Sequence, residues 1–414
     1  MGELLIDPLP PSPLAGPQAP WQYQVDLDTD GDADASGAVS ERVAVPYRFE
    51  EIGPHRIEVM LERGAERETR EEFVVVNDLP AIEVLSRAEI PVGFGQSTDV
   101  LTGIVVDRTG ERVYVAGVSA FPQPLFIVDA RSMIVLERVD LTEPQGALEA
   151  LAIAPGEDFL FVISKGFDLT VFTLPDLGLF RFIDPVNAWF HLHALPGKRV
   201  YVSGGGNGSS FALVDADEGS IVRDLMINNS RHFAVSPEGS TIALLTESGA
   251  KGPHELILLS AEDFMPRWRV DLKVDPNDLP PNAFSQNNAV AFSMDGGRIY
   301  VTRAIEGLER WEFLVLDAAD GAILRVMTIG FGCVNVHCAG LANPVAISPN
   351  GRLAAFSTGI GAFFVDRTLD LPLYRTPFLE QEVYCCSVAA SPVGDEFYFS
   401  SFFGGQVTKV RIRD

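Results

Sequence analysis

Cysteine is nearly absent. The chain of 414 residues has four, confined to "GCVNVHCAG" (332–340) and "VYCCSV" (383–388). A disulfide-dense miniature scaffold is therefore excluded, and the fold must rest on its apolar residues, 47% of the total. Positive charge is also short. Lysine is scarce beside arginine, and 31 Lys and Arg face 57 Asp and Glu, for a net charge of −26. So acidic a chain is a poor partner for nucleic acid, where phosphates must be neutralised, or for an anionic membrane surface. No apolar run is long enough to span a bilayer. The opening residues show no basic region followed by an apolar stretch, so no signal peptide is expected in them. Several chemical motifs are missing too. No Gly-rich phosphate loop follows a strand, no Gly-x-Ser-x-Gly elbow occurs, and "CVNVHC" has the wrong order for haem attachment.

What is present is a repeat. Seven times an apolar run, a Pro/Gly/Asp turn and a second apolar run succeed one another. They read "GIVVDRTGERVYVAG", "ALAIAPGEDFLFVIS", "LHALPGKRVYVSG", "FAVSPEGSTIALLT", "VAFSMDGGRIYVTR", "VAISPNGRLAAFS" and "SVAASPVGDEFYFS". Most units add a run ending in Asp, such as "PLFIVDA" or "EFLVLDA", and then a fourth run. Units recur every roughly 40 to 57 residues, the length of a four-stranded propeller blade. A small twisted sheet cannot bury both faces alone, whereas seven around an axis can. The seventh unit lacks one strand, and residues 80–93 supply a candidate. The expectation is an all-β, seven-bladed β-propeller over 80–414 whose early segment closes the last blade and removes a free edge.

The unit resembles the YVTN-type repeat of surface-layer propellers, a functionally mixed group that includes surface and periplasmic binding proteins and relatives of lactonases. That resemblance implies the fold far more than an activity.

Ahead of the repeats, residues 1–20 are Pro-rich and read as an extended, solvated linker. Residues 21–79 alternate like a small Ig-like β-sandwich. "WQYQVDLDTDGD" and "PYRFEEIGPHRIEVML" resemble the signature of polycystic-kidney-disease (PKD) domains, with Val25 where the family has Trp and His55 where it has an aromatic. Such domains are mostly extracellular spacers or adhesive modules. Within this stretch Asp26, Asp28, Asp30, Asp32 and Asp34 alternate around Gly31, a pattern that suits calcium. A bidentate Glu twelve positions along is missing, since Gly37 stands there, so an ion-free acidic hairpin is the alternative.

In a propeller, the link from one blade's outer strand to the next blade's inner strand emerges on one face. "FGCVNVHCAGLA" and "QEVYCC" are successive links, so all four cysteines are expected in one cluster near the channel mouth. Disulfides among Cys333, Cys338, Cys385 and Cys386 are the leading reading, in any of three connectivities. Zinc held by thiolates and His337, a redox pair, or free thiols are the alternatives.

Aligned on the turns, the seven inner strands define a ring of Thr102, Glu149, Phe190, Arg231, Asn288, Asn343 and Cys386. One step inward come Gly103, Ala150, His191, His232, Ala289, Pro344 and Ser387. Glu149, His191, Arg231, His232, Asn288 and Asn343 are the candidate ligand-binding residues at the channel mouth. A water-filled channel lined by polar side chains is the bland alternative, and His193 and His254 read as structural or surface residues. The functional expectation is a non-catalytic extracellular, cell-surface or periplasmic binding or scaffold protein that requires no cofactor, with a protein or cell-surface glycan as partner. The alternative is a channel-mouth, lactonase-like hydrolase, metal-assisted or not, with His191 or His232 as base.

Overall fold

The computed structural model describes residues 2–6, 21–26, 33, 35–39, 43–47, 53–63, 66–76, 83–90, 100–118, 123–141, 148–155, 159–164, 168–183, 189–204, 210–227, 230–246, 255–272, 285–305, 310–331, 344–358, 361–367, 371–375, 385–401 and 405–412. All regular structure among them is strand. The chain divides into two units, Met1–Pro80 and Ala81–Asp414.

The recurring turn explains the repeat. In four units a backbone N–H closes a tight turn: Gly110 to Asp107, Gly239 to Ser236, Gly296 to Ser293 and Gly351 to Ser348. Each of these glycines has φ near +72°, from 72° to 74°, which L side chains resist. The serine opening the turn then accepts a backbone N–H from the next strand: Thr241 to Ser236 Oγ, Arg298 to Ser293 Oγ and Leu353 to Ser348 Oγ, at 2.8–3.0 Å. The Asp that ends the third strand is also structural. Asp129, Asp215 and Asp317 each accept backbone N–H groups of the following turn through Oδ1. These carboxylates shape turns and are not candidates for chemistry.

In the second unit the strands form seven four-stranded antiparallel sheets. Their innermost strands are Val100–Val106, Leu148–Ile153, Trp189–Leu195, Ser230–Val235, Ser285–Phe292, Val345–Ile347 and Cys385–Ala390. Each packs against the next, and the last packs against the first, so the ring is closed. The seventh sheet takes its outer strand from Glu83–Glu89, which pairs antiparallel with Gln406–Arg411 from Glu89↔Gln406 to Glu83↔Arg411. The expected closing segment therefore sits where the repeat required it.

The core lies between blades. One cluster joins Phe161 and Ile163 of the second blade to Val200 and Val202 of the third. Another joins Ala88 and Val407 of the seventh to Val113 and Phe126 of the first. Each buried side chain of this size contributes about 1.5–3 kcal/mol, against about 1 kcal/mol for a typical hydrogen bond. Apolar packing therefore holds the ring, and polar contacts set its registry. Such contacts span several blade junctions. Lys409 Nζ and the Tyr398 hydroxyl of blade seven donate to Ala130 O of blade one, at 2.9 and 3.4 Å. Arg367 Nε of blade six donates to Phe292 O of blade five at 2.7 Å. Arg303, paired with Glu312 in the buried interior of blade five, donates to Leu272 O at 2.6 Å.

The first unit has a four-stranded sheet in the order Ala35–Val39, Trp21–Asp26, Gly53–Arg63, Glu66–Val76, and a two-stranded sheet. Strand alternation is plain: Gln22 and Gln24 are exposed, while Val25 is buried opposite buried Val59. Gly2–Ile6, read from sequence as part of a solvated linker, instead pairs with Val43–Tyr47. Leu4, Leu5 and Ile6 precede the first proline, so this segment keeps the N–H groups that a ladder needs.

Candidate ligand site at the propeller axis

The inner strands are irregular at one shared place. The register slips at Leu101/Ile104, Leu148/Ala150, Trp189/His191, Ser230/His232, Asn287/Ala289 and Cys385/Ser387. The residues left out of the ladder are Thr102 with Gly103, Glu149, Phe190, Arg231, Asn288 and Cys386. These are the ring positions that sequence alignment selects, in six of seven blades; Asn343, the seventh, lies outside the described residues. A bulge adds one residue to one strand, increases its twist and re-aims the side chains beyond it. Side-chain contacts tie two junctions at this level. Ser387 Oγ donates to Thr102 O, and Thr102 Oγ1 donates to Leu148 O, linking blades seven, one and two. Gly103 is needed here for space, because a Cβ on it would lie 2.9 Å from Leu151 Cγ of the second blade.

Inward of the bulges is an axial cavity of about 370 Å³. Residues of all seven inner strands border it, and most are Val, Ala, Ile, Leu or Phe. Among the described residues the wall is therefore mostly apolar, unlike the polar channel of the alternative reading. The second ring is corrected: His191, His232 and Pro344 border the cavity, but Ala150, Ala289 and Ser387 are buried. These small residues pack into the joints instead: Ala150 against the third blade, Ala289 against the sixth, while Ser387 donates to Thr102 O of the first.

Among the described residues, the polar side chains bordering the cavity are three imidazoles, His191, His193 and His232. They sit on one side, on the third and fourth blades. The His191 and His232 rings meet edge to face with centroids 5.4 Å apart, and Phe233 packs edge-on against His191 at 4.9 Å. His193 is 6.5 Å from Phe233. His232 is buried and His191 half-buried, whereas His193 reaches water inside the cavity although protein encloses it. Enclosure lowers the His193 pKa, and neighbouring His191 pushes the same way. Both effects favour the neutral form of His193 at physiological pH.

Sequence alone pairs His191 with His232 but places His193 elsewhere. The "HLH" spacing carries the missing signal, because residues two apart on a strand share a face. The other candidates are less fully placed. Cys385 is the first residue of its strand and Cys386 the bulged one, while Cys333, Cys338 and His337 lie outside the described residues. Asp26 ends its strand, and Asp28, Asp30, Asp32 and Asp34 lie outside the described residues, as does His254. Among the described residues no three His, Cys, Asp or Glu side chains form a metal-binding group.

No family model and no curated protein matches this sequence. Solved structures do match in fold. The chain is similar to hydrazine synthase of Kuenenia stuttgartiensis, with a TM-score of 0.60 at 17% identity, covering 77% of this chain and 98% of that one. It is also similar to the Cps50 (Swd1) beta-propeller domain of Myceliophteria thermophila, with a TM-score of 0.54 at 13% identity, covering 80% and 100%. At such identity the likeness shows the fold alone, and the fold is a β-propeller.

Proposed function

We propose that this protein is a non-catalytic binding scaffold of the cell envelope or extracellular space, whose propeller presents the bulged end of its ring to a protein or cell-surface glycan. The observation that carries the reading is the bulge recurring at one level. The bulge falls at Glu149, Phe190, Arg231 and Asn288 on four consecutive blades, and the sequence aligns Asn343 with them. A level shared by chemically different residue types suits a composite recognition surface, and loops on a rigid scaffold are where such surfaces usually sit. A propeller scaffold suits this role; the YVTN-type relationship, the PKD-like spacer, export, disulfides and calcium at Asp26–Asp34 belong to the proposal. The test is charge reversal at the opening, with Glu149→Lys and Arg231→Glu, scored against native-envelope partners. Partners lost from both variants but kept by a reversal on an outer strand, such as Arg138→Glu, support the reading. Ester or lactone turnover abolished by either His191→Ala or His232→Ala would replace it with the hydrolase reading, which the 5.4 Å imidazole pair favours.

A further inference from the structure

The axial cavity has a character that the opening above it does not explain. Its walls are apolar on five blades and carry imidazoles on the other two. A volume of about 370 Å³ lies within the range of small-molecule pockets, which are mostly apolar with a few convergent polar groups. We propose that this cavity binds a small, uncharged, mostly apolar molecule, held by the apolar walls and oriented by hydrogen bonds to His191 and His193.

Charge decides the ligand class. A cation would find no carboxylate among the described wall residues, and an anion would enter a chain of net charge −26 to find no lysine or arginine there. A neutral molecule escapes both penalties. Removing its apolar surface from water supplies the affinity, at about 25 cal/mol per Å². A neutral imidazole offers one donor and one acceptor, so it orients a hydroxyl, carbonyl or amine without demanding charge. The edge-to-face contacts of His191 with His232 and Phe233 fix its ring plane before anything binds.

The test uses the full chain and two fluorescent probes on one ring system: neutral 1-aminoanthracene and anionic anthracene-1-carboxylate. The expected result at neutral pH is saturable one-to-one binding of the neutral probe, with the anionic probe at least about tenfold weaker. Ala346→Trp and Ala390→Trp, on two different blades, fill the cavity and each weaken the neutral probe by about tenfold or more. If one of them fails to fold, the other gives the same reading. His193→Leu keeps apolar binding but weakens it for the probe's amine, while the amine-free analogue anthracene binds both forms alike. Absence of binding, tighter binding of the anionic probe, or binding indifferent to whichever tryptophan variants fold overturns the proposal. None of these results bears on the partner-presenting face, so the two readings stand or fall separately.

Discussion

Lys409 Nζ lies 2.9 Å from the carbonyl oxygen of Ala130, 279 positions earlier in the chain, and 2.8 Å from Glu396 Oε2. One buried ammonium thus joins the last blade to the first and neutralises a half-buried carboxylate. The pairing outweighs burial and holds the Glu396 carboxyl below its ordinary pKa. Lys409→Met should lower stability by about 1–2 kcal/mol, because Glu396 and Ala130 O each lose one contact, while Arg411 Nη2 still pairs Glu396 at 2.6 Å and the Tyr398 hydroxyl still donates to Ala130 O. Chemical denaturation measures this, and a change under about 0.5 kcal/mol would mean that the closure is held by packing alone.

Arg303 and Glu312 form the second buried pair, and its logic differs. Both side chains are nearly inaccessible, at 7% and 5% exposure, so either charge left alone is costly. Glu312→Leu alone should cost about 3–5 kcal/mol, whereas Arg303→Met with Glu312→Leu should cost clearly less. A double-mutant cycle checks this; additive losses would show that the two charges do not act as a pair.

Gly321 supports a joint where side-chain size matters. Its φ is +78°, and an added Cβ would lie 2.9 Å from Trp268 Cε3 of the neighbouring blade. Trp268 also donates from Nε1 to Ala318 O at 3.0 Å. Gly321→Ala should cost at least about 1 kcal/mol and shift Trp268 emission as the indole is displaced. Unchanged emission would mean that the backbone, not the indole, gives way.

Acid should weaken the protein in two stages. The folded-state pKa of His193 is depressed from 6.5 toward about 4. The unfolded chain therefore binds the extra proton first, and stability falls as pH drops through that window. Hydrogen bonds from Ser132 to Asp129 and from Ser293 to Asp295 lower those carboxyls. Their contribution is present above the ordinary carboxyl pKa and disappears below it, at more acid pH. Melting temperature against pH, compared for the native protein and His193→Gln, should show a shallower first stage in the variant and an unchanged second one.

The two-unit division gives a truncation test. A chain beginning at residue 81 keeps Glu83–Glu89 and should melt cooperatively. A chain beginning at residue 91 lacks that strand and should expose the edge of Gln406–Arg411, aggregate, or melt far lower. Equal melting of the two would place the stabilising contact elsewhere.

Much of this fold is legible in the sequence because its signals are local. The turn "SPEG" announces itself by needing a glycine at positive φ, and "FALVDAD" by the Asp that caps its own turn. The closing strand is legible because the seventh unit is one run short. The cavity is not legible in the same way. Ala150 and His191 occupy equivalent positions in the alignment, yet one is buried at a joint and the other borders the axis. Which side a residue faces past a bulge depends on the twist of its blade and on the neighbouring blade, and neither is written in the local pattern. His193 is legible by contrast, because its spacing from His191 puts both on one face of the strand.

The pairing of Glu83–Glu89 with Gln406–Arg411 also sets an order of events at the ribosome. More than three hundred residues separate the early strand from its partner, and among the described residues no other strand completes the last blade. Until Gln406–Arg411 has been made the nascent ring is an open arc with a raw edge at each end. It therefore needs shielding by a chaperone or by speed, and any premature stop leaves a molecule built to find strands on its neighbours.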